Sequence, residues 1–333
     1  MIGVLRGWFG RLLLGAAGLG LIAYLVHRAG PGRVASVFWQ AGPWIPLILA
    51  LESVQVMSDV FALRWLLRRH LGDIPLGTWV RSSAVAYAMM ILLPAGRAAG
   101  EVTRATLLAK NVGTTTAATV AAQLQVAYLS AIVVASATEC IVVSTTFGVH
   151  TPLAWFLAAN ALLMTLTCGG LFALLSDGRV GQWIERFQKQ FSSASDAQSA
   201  WDPGLRKGFP LRAGAICVAG RLTQIAQYGV ILAAVGGTRS VRGALVAHGI
   251  HLVGATLGDL VPNQLGIVDG TYNAFAGALG LGDKAANAIS IAFVAHAVQL
   301  SLAAVCVLLA AVTRPEERES SAGRASVHAD ARS

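Results

Sequence analysis

The sequence has little charge. Only 12% of its 333 residues are Asp, Glu, Lys or Arg, whereas 55% are hydrophobic and the mean hydropathy is +0.64. A soluble domain carries about a quarter charged residues, so this composition excludes an ordinary water-soluble fold. Glycine is abundant, with 36 residues, which suits helices that pack closely in a membrane. We therefore expect an all-α chain that folds in a lipid bilayer.

Paired cysteines and enzyme motifs are also missing. The four cysteines stand apart in apolar segments, without a Cys-x-x-Cys pair or a histidine at ligand spacing. This pattern predicts small buried side chains rather than a zinc site or a disulfide framework. A P-loop, a Gly-x-Ser-x-Gly turn and a spaced Ser/His/Asp set are absent too. We therefore expect no metal, no cofactor and no enzymatic activity.

Long apolar segments predict membrane spans, because a spanning helix needs about 20 apolar residues. Six such segments are predicted: 9–27, 43–63, 115–143, 152–175, 211–235 and 285–312. Between the fourth and fifth, 177–209 has the spacing of an amphipathic helix lying on the cytoplasmic leaflet. Residues 1–313 are thus expected to form one membrane domain, and 314–333 a disordered cytoplasmic tail.

The net charge of +9 is explained by orientation rather than by nucleic acid. Lys and Arg gather in cytoplasmic loops, where they meet anionic headgroups. This rule and an even number of crossings place both termini in the cytoplasm of a prokaryotic cell, with the chain in the inner membrane.

Two interrupted segments, 77–112 and 241–282, are too broken for clean spans. If 77–93 crossed fully, Arg97, Arg104 and Lys110 would face outside, so we predict a re-entrant hairpin that opens to the cytoplasm. Six full crossings then place the second hairpin on the outer side. The prediction is an inverted repeat with two opposed re-entrant hairpins.

The two breaks share the same spacing between a proline and an acidic residue. Pro94 is followed after seven residues by Glu101, and Pro262 after seven residues by Asp269. Broken helices at corresponding places in two halves mark the binding site of many transporters. Non-helical backbone is tolerated at membrane depth only inside protein or beside water, so we expect a shielded or hydrated cavity between the hairpins.

Polar residues of the first half form two groups. Arg97 and Arg104 share a helical face with Glu101. They either bind a lipid phosphate, with Glu101 orienting them or carrying a proton, or form a salt-bridged cluster that fixes the hairpin. Glu52, Gln55 and Asp59 form a stripe deep in the second span, which reads either as a proton or cation path or as partners for arginines such as Arg97.

The second half has its own polar group. It is predicted to be a protonatable lining that continues the polar path and the headgroup site, and it comprises His248, His251, Asp259, Asn263, Gln264 and Asp269. As a metal site it is weak, because no His-Glu-x-x-His motif or close carboxylate pair is present. Glu139 is expected at the outer interface, without a functional role.

The segment from Leu93 to Arg104 resembles the first signature of the lysylphosphatidylglycerol synthase transmembrane, or flippase-like, family. Residues Pro262 to Gly270 resemble the second, with Asp269 where the family usually has Glu and with Asn263-Gln264 in place of a glycine-rich start. The resemblance implies an integral membrane protein that moves lipids or lipid-linked precursors between leaflets; some relatives are associated with hopanoids. Only about 20 polar residues follow Val312, so we expect no tRNA-dependent lipid aminoacylation.

The function expected from these observations is movement of a phospholipid or another amphipathic lipid between leaflets. The expected partners are membrane lipids with anionic headgroups, with a second copy or a biosynthetic enzyme as further possibilities. An accessory lipid-binding or scaffold protein of hopanoid or glycolipid synthesis is the alternative. A membrane-embedded lipid-modifying enzyme is the third hypothesis.

Overall fold

The computed structural model describes residues 19–176, 208–281 and 285–313. Within those ranges all regular secondary structure is helical, which confirms the predicted all-α class. The α-helices are α1 Leu19–Ala29, α2 Pro31–Gln40, α3 Ile45–Leu66, α4 Leu76–Leu92, α5 Gly96–Val112, α6 Thr114–Phe147, α7 Pro152–Ser176, α8 Leu211–Ala234, α9 Val241–Leu257, α10 Ile267–Ala274 and α11 Ala285–Val312. Short 3-10 turns cover Gly42–Trp44, Leu71–Asp73, Pro262–Gln264 and Ala276–Leu279.

Five of these units are long and apolar enough to cross a membrane: the continuous pair α2–α3 (Pro31–Leu66), α6, α7, α8 and α11. They correspond to five of the six predicted spans. The remaining predicted span, 9–27, lies mostly outside the described residues. So do almost all of the predicted amphipathic segment 177–209 and the whole tail 314–333.

The first hairpin consists of α4 and α5. Each has 17 residues, which is at the lower limit of the length of a spanning helix. The two helices approach through glycines: a methyl group on Gly96 would collide with the carbonyl oxygen of Met90, and one on Gly100 would lie 2.6 Å from that of Ala86. Glycine therefore sets the close packing of this hairpin.

The second hairpin consists of α9 and the shorter α10. A methyl group on Gly254 would lie 3.0 Å from the Cα of Val268, so these helices also run close together. The hydroxyl of Tyr272 in α10 donates to the carbonyl oxygen of Ala247 in α9 over 2.9 Å. This bond is buried, and it fastens the returning helix to the first one.

The two hairpins open at opposite ends of the bundle. Helices α3 and α8 are antiparallel, because Glu52 meets Gln227 while Ser58 meets Gly220. The first hairpin starts beyond the C-terminal end of α3, and the second beyond that of α8. Their tips meet inside the bundle. The prediction of two opposed hairpins is confirmed.

Each hairpin packs against the helix that follows the other one. In the first hairpin Tyr87 and Ile91 share a hydrophobic cluster with Ala303 of α11. In the second, Leu252 packs with Ile132 and Ala135 of α6. The two halves of the chain are therefore interlocked rather than placed side by side.

Three residues other than glycine have left-handed backbone in the described part of the chain, and all three lie at the hairpin tips. They are Ala95 with φ 51°, Asn263 with φ 48° and Gln264 with φ 56°. Such conformations cost on the order of 1–3 kcal/mol each, and they persist only where the surroundings hold them. The tips are thus the strained part of a closely packed structure.

Adjacent residues at the first tip give a matched test. Ala95→Gly should raise the free energy of unfolding by about 1 kcal/mol, because glycine adopts left-handed backbone without the Cβ clash. Gly96→Ala should lower the melting temperature by several degrees, because its methyl group has no room beside Met90. Thermal unfolding in detergent measures both. Equal melting temperatures for the two variants would contradict the described tip.

Candidate functional site

A cavity of about 430 Å³ lies where the two hairpin tips meet. Helices α3, α6, α7, α8 and α11 complete its wall. Most of the polar groups that border it come from the two tips and from the inward faces of these helices. The polar residues that border the cavity are Glu52, Gln55, Arg97, Gln125, Tyr128, Thr167, Arg221, Gln224, His251, Thr256, Asp259, Asn263, Gln264 and Gln299.

Arg97 fixes the first tip to the rest of the bundle. Its Nη1 donates to Oδ2 of Asp59 in α3 over 2.5 Å, and its Nη2 lies 3.6 Å from Oε1 of Glu101. The guanidinium lies 3.5 Å from the centre of the Tyr128 ring. Asp59 thus acts as a partner for Arg97, one of the two roles predicted for the polar stripe of α3. The charge of Arg97 is balanced by two carboxylates.

Glu101 and Arg104 follow Arg97 on the same face of α5, as the spacing predicts. Nη1 of Arg104 donates to Glu101 over 3.2 Å. Both side chains are buried, and neither borders the cavity. They form an ion pair within α5 behind the tip, while Arg97 alone of the three borders the cavity.

Glu52 is a buried acid with its oxygens occupied. The hydroxyl of Tyr87 donates to Oε1 over 2.9 Å, and Nε2 of Gln227 donates to Oε2 over 2.8 Å. Two donors compensate a carboxylate that would be costly to bury alone. Through these bonds α3 is joined to the first hairpin and to α8, so Glu52 both borders the cavity and braces it.

Arg221 is the cation that sequence reasoning missed. Only 4% of its surface is exposed. Its Nη1 donates to Oε1 of Gln224, and its guanidinium lies 4.4 Å from the same Tyr128 ring that Arg97 contacts. Among the described residues no carboxylate forms an ion pair with it, and its Nη2 has no hydrogen-bond partner. A charged residue in the middle of the apolar segment 211–235 was the signal that could have revealed it.

Glu139 has a buried partner that the sequence did not predict. It was expected at the outer interface, but it is fully buried and forms a short hydrogen bond with Nδ1 of His248. Helix α6 continues to Phe147, beyond the predicted end at residue 143. Gly249 brings α9 close to it, since a methyl group there would lie 3.3 Å from Oε2 of Glu139. The depth of Glu139 in the membrane stays a prediction, whereas its burial against α9 is a feature of the packing that helical spacing alone did not predict.

The second hairpin divides its polar residues between the cavity and the interior. His251, Asp259, Asn263 and Gln264 border the cavity, whereas His248 does not. Asp269 is fully buried away from it. Its Oδ2 accepts the backbone N–H of Gly266 over 2.8 Å and lies 3.4 Å from Nε2 of His296. Asp269 therefore caps α10, the stretch that returns from the tip.

One wall of the cavity lies next to the apolar outer surface. Leu163, Met164 and Thr167 of α7 border the cavity, whereas Leu162 and Leu166 of the same helix are exposed and do not border it. Leu93 and Leu260, at the two tips, are exposed as well. Polar lining and hydrocarbon-facing surface are thus separated by a single helix and the tips. No set of three or more metal-ligating residues occurs in the described ranges.

The fold and the cavity define a multi-pass α-helical membrane protein with a polar chamber between two opposed hairpins. The chain belongs to the family of the lysylphosphatidylglycerol synthase transmembrane region, whose profile matches residues 8–307. This confirms the family that the motifs at residues 93–104 and 262–270 indicated. Members are membrane proteins commonly linked to lipid flipping or other lipid-related functions, and the match does not include the soluble aminoacyl-transferase domain. No characterised protein and no solved structure matches the chain significantly.

The ion pair between Asp59 and Arg97 gives a double-mutant test. Asp59→Asn should destabilise the protein by about 3 kcal/mol, because Arg97 loses its closest carboxylate in a buried site. Arg97→Gln in the same chain should recover part of that loss, since the uncompensated charge is gone. Thermal unfolding of the two single variants and the double variant measures the coupling. Strictly additive effects would show that the pair does not act as a unit.

Proposed function

We propose that this protein moves a phospholipid, or another amphipathic lipid with an anionic headgroup, between the leaflets of a prokaryotic inner membrane. The observation that supports this most directly is Arg221, a buried cation without an ion-pair partner in the described chain, beside a cavity formed by two opposed hairpin tips. Charged groups inside membranes are costly, and where they occur they mark substrate or ion paths.

A phosphate fits the unfilled bonding capacity of Arg221. The guanidinium presents planar donors that match phosphate oxygens, and Nη2 is free to donate. Arg97 contacts the same Tyr128 ring, so a second guanidinium lies close by. Since two carboxylates balance Arg97 while none pairs with Arg221 among the described residues, Arg221 is the group with the larger need for an anion.

The form of the cavity suits a headgroup rather than a whole lipid. Its polar lining would hold the phosphate, while the acyl chains would stay in the bilayer beside Leu163 and Met164 of α7. Because the hairpins open at opposite ends, movement at the contact between Ala95 and Asp259 would give either end access to the cavity. Opposed broken helices in inverted repeats commonly work in this way.

Charge distribution supports the proposed orientation. At the end where the first hairpin opens, Arg64 lies in the last turn of α3, Arg68 and Arg69 follow just beyond that helix, and Lys110 lies in the last turn of α5. Helix α7 ends and α8 begins at this same end, and the sequence between them is basic. Under the positive-inside rule we propose that this end faces the cytoplasm, the side that the sequence predicts for both termini.

A leaflet assay in proteoliposomes tests the function. With fluorescent phosphatidylglycerol and a quencher outside, we expect the purified protein to speed exchange between leaflets. Arg221→Gln should slow it at least about tenfold, because the phosphate loses a charge-assisted donor. Arg212→Gln is the matched control: it is an arginine of the same helix that stacks 4.8 Å from the ring centre of Trp65, outside the cavity.

The outcomes separate the candidate functions. Unchanged exchange in Arg221→Gln, or equal loss in Arg212→Gln, would contradict the proposed headgroup site. Tight binding of the lipid by the wild-type protein without any exchange would instead favour an accessory lipid-binding role.

A further inference from the structure

A chain of hydrogen bonds links the cavity to a buried acid and histidine. It starts at Arg221, whose Nη1 donates to Oε1 of Gln224. The same oxygen lies 3.1 Å from Nε2 of His248, and the other ring nitrogen of His248 contacts Oε1 of Glu139. Glu139 and His248 are both fully buried, and neither borders the cavity. The side-chain amide of Gln224 therefore connects the Glu139–His248 pair to Arg221 on the cavity wall.

Arg221 determines which atom of Gln224 faces the histidine. A guanidinium only donates, so the amide must present its oxygen to Arg221. That oxygen also faces Nε2 of His248, and an amide oxygen only accepts. Nε2 of His248 must therefore carry a proton. The tautomer of the ring is set by a residue on the cavity wall.

The remaining nitrogen, Nδ1, then decides the proton content of the pair. With Nε2 protonated, the short contact between Nδ1 and Glu139 requires a proton on one of these two groups, since a bare nitrogen would repel a carboxylate. Removing that proton would break a contact. A second proton could be added at Oε2 of Glu139, which is buried and accepts no hydrogen bond, without breaking any contact. The pair is built to gain a proton rather than to lose one.

The charges around the pair oppose that gain until an anion arrives. Arg221 and Tyr228 of α8, His251 of α9 and Tyr272 of α10 interact electrostatically with it. Beyond these, Glu52 of α3 and His296 of α11 interact with Tyr228 and His251, respectively. Next to Glu139, α7 contributes the apolar Leu157. Arg221 is the cation of this set, and it disfavours a second positive charge in a medium of low dielectric constant.

We propose that the Glu139–His248 pair takes up one proton when an anionic headgroup binds Arg221, with Gln224 linking the two sites. The inference rests on the proposed function, and it supplies the ion that accompanies the lipid. A bound phosphate cancels the charge of Arg221, so the imidazolium form of His248, with a neutral Glu139, becomes accessible. Lipid and proton then enter the interior as a neutral pair, which is the form that hydrocarbon surroundings tolerate. Because one amide connects the two sites, binding of the phosphate should raise the affinity for the proton, and binding of the proton should raise the affinity for the phosphate.

The test uses phosphatidylglycerol, whose phosphodiester keeps a single negative charge throughout the range. Its affinity for the wild-type protein is measured between about pH 5.5 and pH 8, the range in which a histidine site titrates. We expect binding to strengthen as the pH falls, toward about tenfold per pH unit, the limit for one linked proton. Titration calorimetry in buffers with different ionisation enthalpies should show uptake of about one proton per lipid bound.

Variants assign the proton to this pair. The double variant Glu139→Gln with His248→Gln replaces both groups by neutral amides, and its affinity should no longer change with pH. His296→Gln is the matched control, because His296 is also a buried histidine beside an acid, but it contacts Asp269 rather than Gln224. That variant should keep the pH dependence of the wild-type protein.

Each outcome decides a separate point. Wild-type binding that is independent of pH and takes up no proton would overturn the coupling and leave the proposed function standing. Loss of the pH dependence in His296→Gln would overturn its assignment to Glu139 and His248. Failure of the wild-type protein to bind phosphatidylglycerol at any pH would overturn both this inference and the proposed function. The calorimetric proton count needs no variant, so it decides even if the double variant misfolds.

Discussion

The contact between the two hairpin tips is the constraint on which the rest of the architecture depends. The backbone N–H of Ala95 donates to the carbonyl oxygen of Asp259 over 2.8 Å. Helices that end inside a membrane leave polar backbone groups without partners, and lipid offers none. By satisfying each other, the tips allow two short hairpins to end within the bundle, and the space beside this contact becomes the cavity.

The buried charged side chains around the cavity are also paired with groups of the protein, with the exception of Arg221. Arg97 is matched by Asp59 and Glu101, and Glu52 receives donors from Tyr87 and Gln227. These groups brace the helices around the cavity. Arg221 differs, because its direct contacts are with an amide and an aromatic ring, and no described carboxylate forms an ion pair with it. Arg221 is therefore a buried charge whose bonding the described part of the protein leaves incomplete.

The hairpins could be predicted from the sequence because local signals specify them: short apolar segments, Pro/Gly breaks and misplaced cations. The pairing of Glu101 with Arg104 also follows from helical spacing. The position of Arg221 in an apolar segment marks it as unusual, but the partners of Arg221 and of Glu139 could not be predicted in this way. Their roles depend on how closely α6, α8 and α9 approach one another, and that approach is set by residues such as Gly249, which carries no signal in a single sequence. For the same reason, spacing alone could not separate Arg97, on the cavity wall, from Arg104, behind it.

The interlocked packing has a consequence for how the molecule is made. Helix α4 rests against α11, the last helix of the described chain, through Tyr87 and Ala303. A ribosome delivers the first hairpin long before this neighbour exists. Until then the residues of α4 that pack against α11 in the folded protein lack their native contacts. The first hairpin can therefore reach its native packing only after α11 has been synthesised and inserted.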